Sequence, residues 1–89
     1  MGRVVSDAAA SDADFVVYST TVCPYCVAVK RLLDSKNLTY DEINFDHDPD
    51  ARYEVVAETG HRTVPVVIEN RGENPMYIGG FNETQRYLK

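Results

Sequence analysis

The chain is short of several things, and each shortage narrows what it can be. It holds two cysteines in 89 residues, too few for the disulfide framework of a small secreted domain. No apolar run approaches the ~20 residues that a membrane-crossing helix needs. The first residues lack the apolar core of a signal peptide. Basic side chains are scarce: nine Lys and Arg stand against fourteen Asp and Glu, a net charge of -5. That balance argues against a nucleic-acid partner, which calls for a basic face. The length allows one domain and a small core, since a chain of this size buries only roughly 60–65% of the surface it exposes when unfolded. These shortages lead us to expect a soluble, monomeric, cytoplasmic protein in a reducing compartment, without a membrane or nucleic-acid partner.

Both cysteines fall in one tetrapeptide, Cys23-Pro24-Tyr25-Cys26. It follows the apolar run Phe15-Val16-Val17-Tyr18 and opens a helix-patterned stretch. A CxxC at such a junction reads as a redox pair of the thioredoxin-like kind. With Pro24 as the first helical residue, Cys23 becomes the N-cap and Cys26 lies one turn in. The two sulfurs then meet on one side of the turn. The helix terminus and the free amides of Tyr25 and Cys26 favour a thiolate at Cys23, and the thiolate is the nucleophile. A zinc site built from Cys23, Cys26, His47 and His61 is the competing reading, but the spacing matches no finger pattern. We expect no metal site and take both histidines as solvated loop residues.

Residues 1–14 are rich in Ala, Ser and Asp with little periodicity, which predicts a mobile N-terminal tail before a single domain over 15–89. Phe15 to Ser19 reads as a buried strand. The next helix carries Val29, Leu32 and Leu33 on one side and ends near Asn37. Thr39 to Phe45 is a second strand. Asp48-Pro49 starts a helix that stops at Gly60. The continuous apolar run Val64 to Glu69 predicts a central strand covered on both faces. A turn over 70–75 leads to an antiparallel strand at Met76-Tyr77-Ile78. Asn82 is then expected to cap a short last helix, with Gln85 closing a box. The order βαβαββα gives an α/β fold: a four-stranded mixed sheet with helices on both faces.

Two further stretches carry chemistry. Thr63-Val64-Pro65 opens the third strand, where a proline cannot donate a ladder bond. A cis Val64–Pro65 bond there turns the backbone groups of Val64 outward, free to pair with an extended peptide. Gly79-Gly80-Phe81 lets the backbone run close to a ligand ahead of the last helix. The charges are also uneven. Acids crowd the span from Asp41 to Glu58, while Lys30, Arg31 and Lys36 sit beside the cysteines in sequence and Arg62 lies further on. That distribution suits a site for small anionic thiols, and equally suits ordinary solvated helix faces.

Together, Cys23-Pro24-Tyr25-Cys26, Thr59-Gly60-His61-Arg62-Thr63-Val64-Pro65 and Ile78-Gly79-Gly80-Phe81 make the stretch from Phe15 to Lys89 resemble the glutaredoxin family, of the dithiol type. The resemblance implies a thioredoxin-like fold and glutathione-dependent thiol–disulfide exchange on protein disulfides and protein–glutathione mixed disulfides. It implies Cys23 as nucleophile and Cys26 as resolving cysteine. It implies a glutathione groove formed by Tyr25, Arg62, Thr63, Val64, Pro65, Gly80, Asn82 and Glu83. Val64 would pair with the cysteinyl backbone, Asn82 and Glu83 would hold the γ-glutamyl end, and Arg62 would meet the glycyl carboxylate. Glutathione would be a co-substrate, client proteins the other partners, and no tightly bound cofactor would be needed. The chain departs from the family pattern at Thr20, where many members carry lysine, and at Glu83, where aspartate is common. Two alternatives stay open: a redoxin that draws electrons from thioredoxin reductase and serves ribonucleotide reductase, and a glutathione-ligated iron–sulfur carrier.

Overall fold

The computed structural model describes residues 2–89. Its elements are α1 (Arg3–Ala9), β1 (Phe15–Ser19), α2 (Pro24–Ser35), β2 (Tyr40–Asn44), α3 (Pro49–Thr59), β3 (Val66–Glu69), β4 (Met76–Gly79) and α4 (Phe81–Tyr87). The strands form one sheet in the order β2-β1-β3-β4. β1 runs parallel to β2, with Phe15 opposite Tyr40, and antiparallel to β3, with Phe15 opposite Glu69. β4 runs antiparallel to β3 across an irregularity between Val67 and Ile68. The expected four-stranded mixed sheet is therefore present, with helices on both faces.

Alternation along β1 sorts the core into two layers. Phe15 and Val17 join Val29, Leu33 and Val67 on the α2/α4 side, where Ile78, Phe81 and Leu88 also pack. Val16 and Tyr18 join Phe45, Ala51, Val55, Val66 and Ile68 on the α1/α3 side. Helix α2 ends as a Schellman motif: Asn37 adopts φ 58, Leu38 N–H donates to the Leu33 carbonyl at 3.0 Å, and Asn37 N–H donates to that of Asp34 at 3.1 Å. Helix α3 is bounded as its sequence predicts. The Asp48 carboxylate caps Ala51 N–H at 3.2 Å, Pro49 opens the helix, and Gly60 closes it at φ 74.

Three expectations need correction. Residues 3–9 are not a tail but a helix, with Met1 outside the described residues. Ala8 is buried, and Val4 packs against the same cluster as Val16 and Tyr18. Glu58 accepts the N–H groups of Arg3 and Val4, and Arg3 pairs with Asp7, Asp48 and Glu54. The helix is too short to stand alone and takes its order from these distant partners. The last helix is capped by Gly80 rather than Asn82. The carboxylate of Glu83, not Gln85, reaches back to the Gly80 N–H at 2.7 Å. Strand β3 starts at Val66 instead of Val64, because Pro65 offers no donor to a ladder.

Candidate active site

Cys23 takes an extended backbone (φ -153) as N-cap of α2, and its Sγ accepts the Cys26 N–H at 3.1 Å. The two cysteines are joined as a disulfide, with Cα atoms 5.2 Å apart. Their surroundings differ sharply. Cys26 is buried at 2% exposure beneath the first turn, while Cys23 is half-buried and flanked by exposed Val22, Pro24 and Tyr25. One sulfur is therefore approachable and the other is covered. The segment leading into the helix is tied down. Thr21 N–H donates to Asp46 Oδ2 at 2.8 Å, and this bond holds the Asp46 carboxyl below its ordinary range.

Beside the disulfide lies a cleft of about 230 Å³ lined by Tyr25, His61, Thr63, Val64, Pro65, Gly80, Phe81, Asn82 and Glu83. Three separate pieces of chain build it. Tyr25 comes from the first turn of α2, and its ring lies 6.1 Å from that of Phe81 on α4. His61 to Pro65 come from the loop before β3, where the Val64–Pro65 bond is cis. The backbone N–H and C=O of Val64 have no hydrogen-bond partner among the described residues. Gly80 to Glu83 form the third wall. Gly79 makes that wall possible: it sits at φ +133, and a Cβ there would meet Glu83 Cγ at 2.8 Å. The Gly80 N–H chiefly holds the Glu83 carboxyl below the usual carboxylate range.

Of the residues expected here, Tyr25, Thr63, Val64, Pro65, Gly80, Asn82 and Glu83 converge on this cleft. Arg62 does not line it; its side chain is exposed next to Thr63. Neither do Lys30, Arg31 and Lys36. Lys30 instead pairs with Glu42 at 3.0 Å. Two cleft residues escaped the sequence reading. Phe81 stood in a quoted motif without a role. His61 was expected in solvent; instead it is half-buried, with Nδ1 2.5 Å from the Tyr77 hydroxyl and Nε2 2.9 Å from Thr63 Oγ1. No local signal marks His61, because Tyr77 reaches it only through the β3–β4 pairing.

This geometry has close counterparts. The family model for glutaredoxin matches residues 15–71, more than half of the chain. Glutaredoxin 3 of Escherichia coli is 31% identical over 71 residues, covering 80% of this chain and 81% of its own. Glutaredoxin-C6 of Oryza sativa is 39% identical over 77 residues, covering 83% of this chain and 65% of its own. The chain spans less than two thirds of the length of several curated relatives it matches, such as 62% of a glutaredoxin of Pseudomonas aeruginosa. Among solved structures, a wheat glutaredoxin superposes with a TM-score of 0.75 at 30% identity, covering 96% of this chain and 83% of that one. A buckwheat glutaredoxin–glutathione complex gives a TM-score of 0.74 at 32% identity, covering 85% of this chain and 68% of that one. At 96% coverage of this chain, the wheat superposition takes in most of β4 and α4, beyond the residues that the family model matches. A CxxC at the head of α2, a Thr-Val-Pro loop and a double-glycine turn on a thioredoxin-like sheet place the chain in the glutaredoxin family.

Proposed function

We propose that this protein catalyses glutathione-dependent thiol–disulfide exchange, reducing protein disulfides and protein–glutathione mixed disulfides. The observation that carries this reading is the pairing of one approachable and one buried cysteine with a cleft that begins at Tyr25, between them. In the reduced protein, Cys23 lies at the N-terminus of a 12-residue helix, which favours its thiolate. That thiolate attacks a client disulfide, forms a mixed disulfide and releases one client thiolate. Cys26 then loses its proton and attacks Cys23 Sγ. The second client sulfur leaves as a thiol, and the Cys23–Cys26 disulfide forms. Two glutathione molecules reverse this. The first forms a mixed disulfide with Cys23 and frees Cys26; the second takes the glutathionyl group as glutathione disulfide and restores the Cys23 thiolate.

The cleft residues give the tripeptide its place. The free N–H and C=O of Val64 pair with the cysteinyl backbone in the manner of an added strand. Tyr25 covers its flank, and Thr63, Pro65 and Gly80 shape the floor. Asn82 and Glu83 face the γ-glutamyl end. Arg62 swings from its exposed position toward the glycyl carboxylate. The expected setting is a reducing compartment, with the protein acting as a monomer on disulfide-bonded or glutathionylated clients. Glutathione with glutathione reductase should turn the protein over faster than thioredoxin reductase does.

Single substitutions test the roles of the sulfurs. Cys23→Ser should lose more than 100-fold in reduction of both a protein disulfide and a glutathione mixed disulfide, because it removes the nucleophile (an order-of-magnitude expectation). Cys26→Ser should lose protein-disulfide reduction but keep release of glutathione from a mixed disulfide, which needs Cys23 alone. Turnover by Cys23→Ser would reject the assignment.

A further inference from the structure

His61 has no part in the exchange chemistry above, yet it is the most connected side chain of the cleft. Thr59 Oγ1 accepts the backbone N–H of His61 at 3.1 Å and fixes where the ring starts. The ring stands edge-on to Tyr77, with centroids 5.8 Å apart. Both ring nitrogens are engaged by hydroxyls, Tyr77 on one side and Thr63 on the other. Its Cε1 lies 3.7 Å from where a Cβ on Gly80 would sit, so the ring spans the gap between the Thr63 loop and the double-glycine turn. The groups that face it are Tyr77 on β4, Glu83 on α4, Tyr25 on α2 across the cleft, and its chain neighbour Arg62.

The hydrogen-bond inventory makes this arrangement depend on a proton. A neutral imidazole has one N–H and one bare nitrogen, so one of the two hydroxyls must donate its hydrogen to the ring. The imidazolium donates from both nitrogens. Both hydroxyls are then acceptors, and the one that had donated to the neutral ring, Thr63 in the tautomer with its hydrogen on Nδ1, has its own hydrogen released outward. Thr63 lies in the cleft wall, so its released O–H points to whatever the cleft holds. The same proton adds a positive charge to a wall whose other ionisable side chains are Glu83 and Tyr25, with Tyr77 behind the ring. Histidine is the side chain whose ordinary titration falls between about pH 5 and 8.

We propose that His61 is a positioning and specificity residue of the glutathione cleft, whose proton state decides whether the Thr63 hydroxyl and a local positive charge are offered to a carboxylate of the tripeptide. This rests on the reading of the cleft as a glutathione site. Neutral His61 holds the wall in shape; protonated His61 also attracts the anion. By linkage, a bound carboxylate must favour the imidazolium as strongly as the imidazolium favours the carboxylate.

S-methylglutathione separates this from the redox steps, because it has no thiol to titrate or exchange. The protein is kept as the Cys23–Cys26 disulfide, and binding is followed by NMR between pH 5.5 and 8. Wild-type affinity should tighten about threefold to tenfold toward pH 5.5, the scale of the net contribution of one ordinary hydrogen bond in an exposed cleft. The His61 ring signal should titrate at higher pH when the ligand is present, while that of His47, exposed elsewhere, should not move. His61→Gln keeps a donor and an acceptor. It should bind like wild type at pH 8 and show no tightening at low pH. His61→Ala should weaken binding at both ends of the range. If wild type binds but its His61 midpoint stays fixed, or His61→Gln keeps the pH response, the proposal fails and the glutathione reading stands. If wild type binds no S-methylglutathione at any pH, the glutathione reading fails and takes this proposal with it.

Discussion

The two faces of the sheet are closed by different means. On the α2/α4 side, Phe15, Val17, Val29, Leu33 and Val67 are fully buried, and the partly buried layer around them consists of Leu38, Tyr40, Ile78, Phe81 and Leu88. On the α1/α3 side the helices bring smaller groups: Ala8 from α1, Ala51 and Val55 from α3. The ring of Tyr18 fills much of the space and stacks 5.4 Å from Phe45. Its hydroxyl would be buried alone, but it donates to Asp7 Oδ2 at 2.8 Å. Asp7 in turn holds Arg3, which fans out to Asp48 and Glu54. The α2/α4 face has charges only at its edge, where Arg71 pairs with Glu69, the Tyr87 hydroxyl donates to Glu69 at 2.9 Å and the Arg71 guanidinium lies 5.1 Å over the Phe15 ring; the α1/α3 face carries the wider network around Arg3. The cysteines head α2, and Phe81 of the cleft belongs to the apolar face. The redox pair therefore rests on the more apolar of the two layers. The cleft touches the other layer through Val64, which packs against it.

The largest effect that tests this contrast is Leu33→Ala. Leu33 is fully buried in the apolar layer. Truncation removes transfer free energy and leaves a cavity, together about 2–5 kcal/mol. Denaturant unfolding should show that loss at pH 5 and pH 7 alike, and at low and high salt alike. A loss that varied with salt would mean that Leu33 is coupled to the Glu69–Arg71 pair at the edge of this face.

Tyr18→Phe comes next. It deletes one buried hydroxyl and leaves Asp7 with Arg3, at a cost of about 1 kcal/mol near neutral pH. It also carries a pH signature. Burial, then the hydrogen bond to Asp7, pushes the Tyr18 phenol well above its ordinary value. The folded state therefore keeps the proton after the unfolded chain begins to lose it near pH 10. The Tyr18 contribution is whole below that value and drains away as pH rises beyond it. Tyr18→Phe should flatten part of the alkaline decline in stability; Tyr77 and Tyr87, also shifted upward, keep the remainder. An unchanged alkaline limb would place the titrating phenol elsewhere.

The same division explains what could be read from the chain alone. The apolar face, the strands and the ends of α2 and α3 were legible because their causes are local: alternation in Phe15-Val16-Val17-Tyr18, proline after a capping residue at Cys23-Pro24 and Asp48-Pro49, and Gly60 at a positive φ. The cysteine pair was legible for the same reason, and most cleft walls followed from short motifs. Helix α1 was not, since Arg3 finds Asp48 and Glu58 at sequence separations of 45 and 55. His61 was missed in the same way, because Tyr77 lies 16 residues away and arrives by strand pairing. The cap of α4 was misplaced by two residues because Asn82 is the better intrinsic cap, while the length of Glu83 lets its carboxylate reach Gly80. Arg62 was placed by its neighbours in a motif, and its own side chain turned out to be exposed.

Arg3→Ala is the smallest of these changes and the sharpest test of the charge network. The pairs are partly exposed, with Arg3 at 24% side-chain exposure, so their worth is limited by solvent and by the entropy of a long side chain. A loss of no more than about 1 kcal/mol is expected at low salt, shrinking as added salt screens the pairs. The acid limb should change as well. The Arg3 guanidinium, then the Ala51 N–H, hold the Asp48 carboxyl below its ordinary value. A carboxyl lowered in the folded state stabilises it above the unfolded value near pH 4, and that help is lost as pH falls through the lower, folded value. Without Arg3, Asp48 keeps only its capping bond, so stability between about pH 5 and 3 should fall less steeply than in wild type. Leu33→Ala, measured alongside, should keep the wild-type slope while starting from a lower stability. Equal slopes in wild type and Arg3→Ala would show that Arg3 merely decorates α1, and the contrast between the two faces would reduce to a difference in apolar packing.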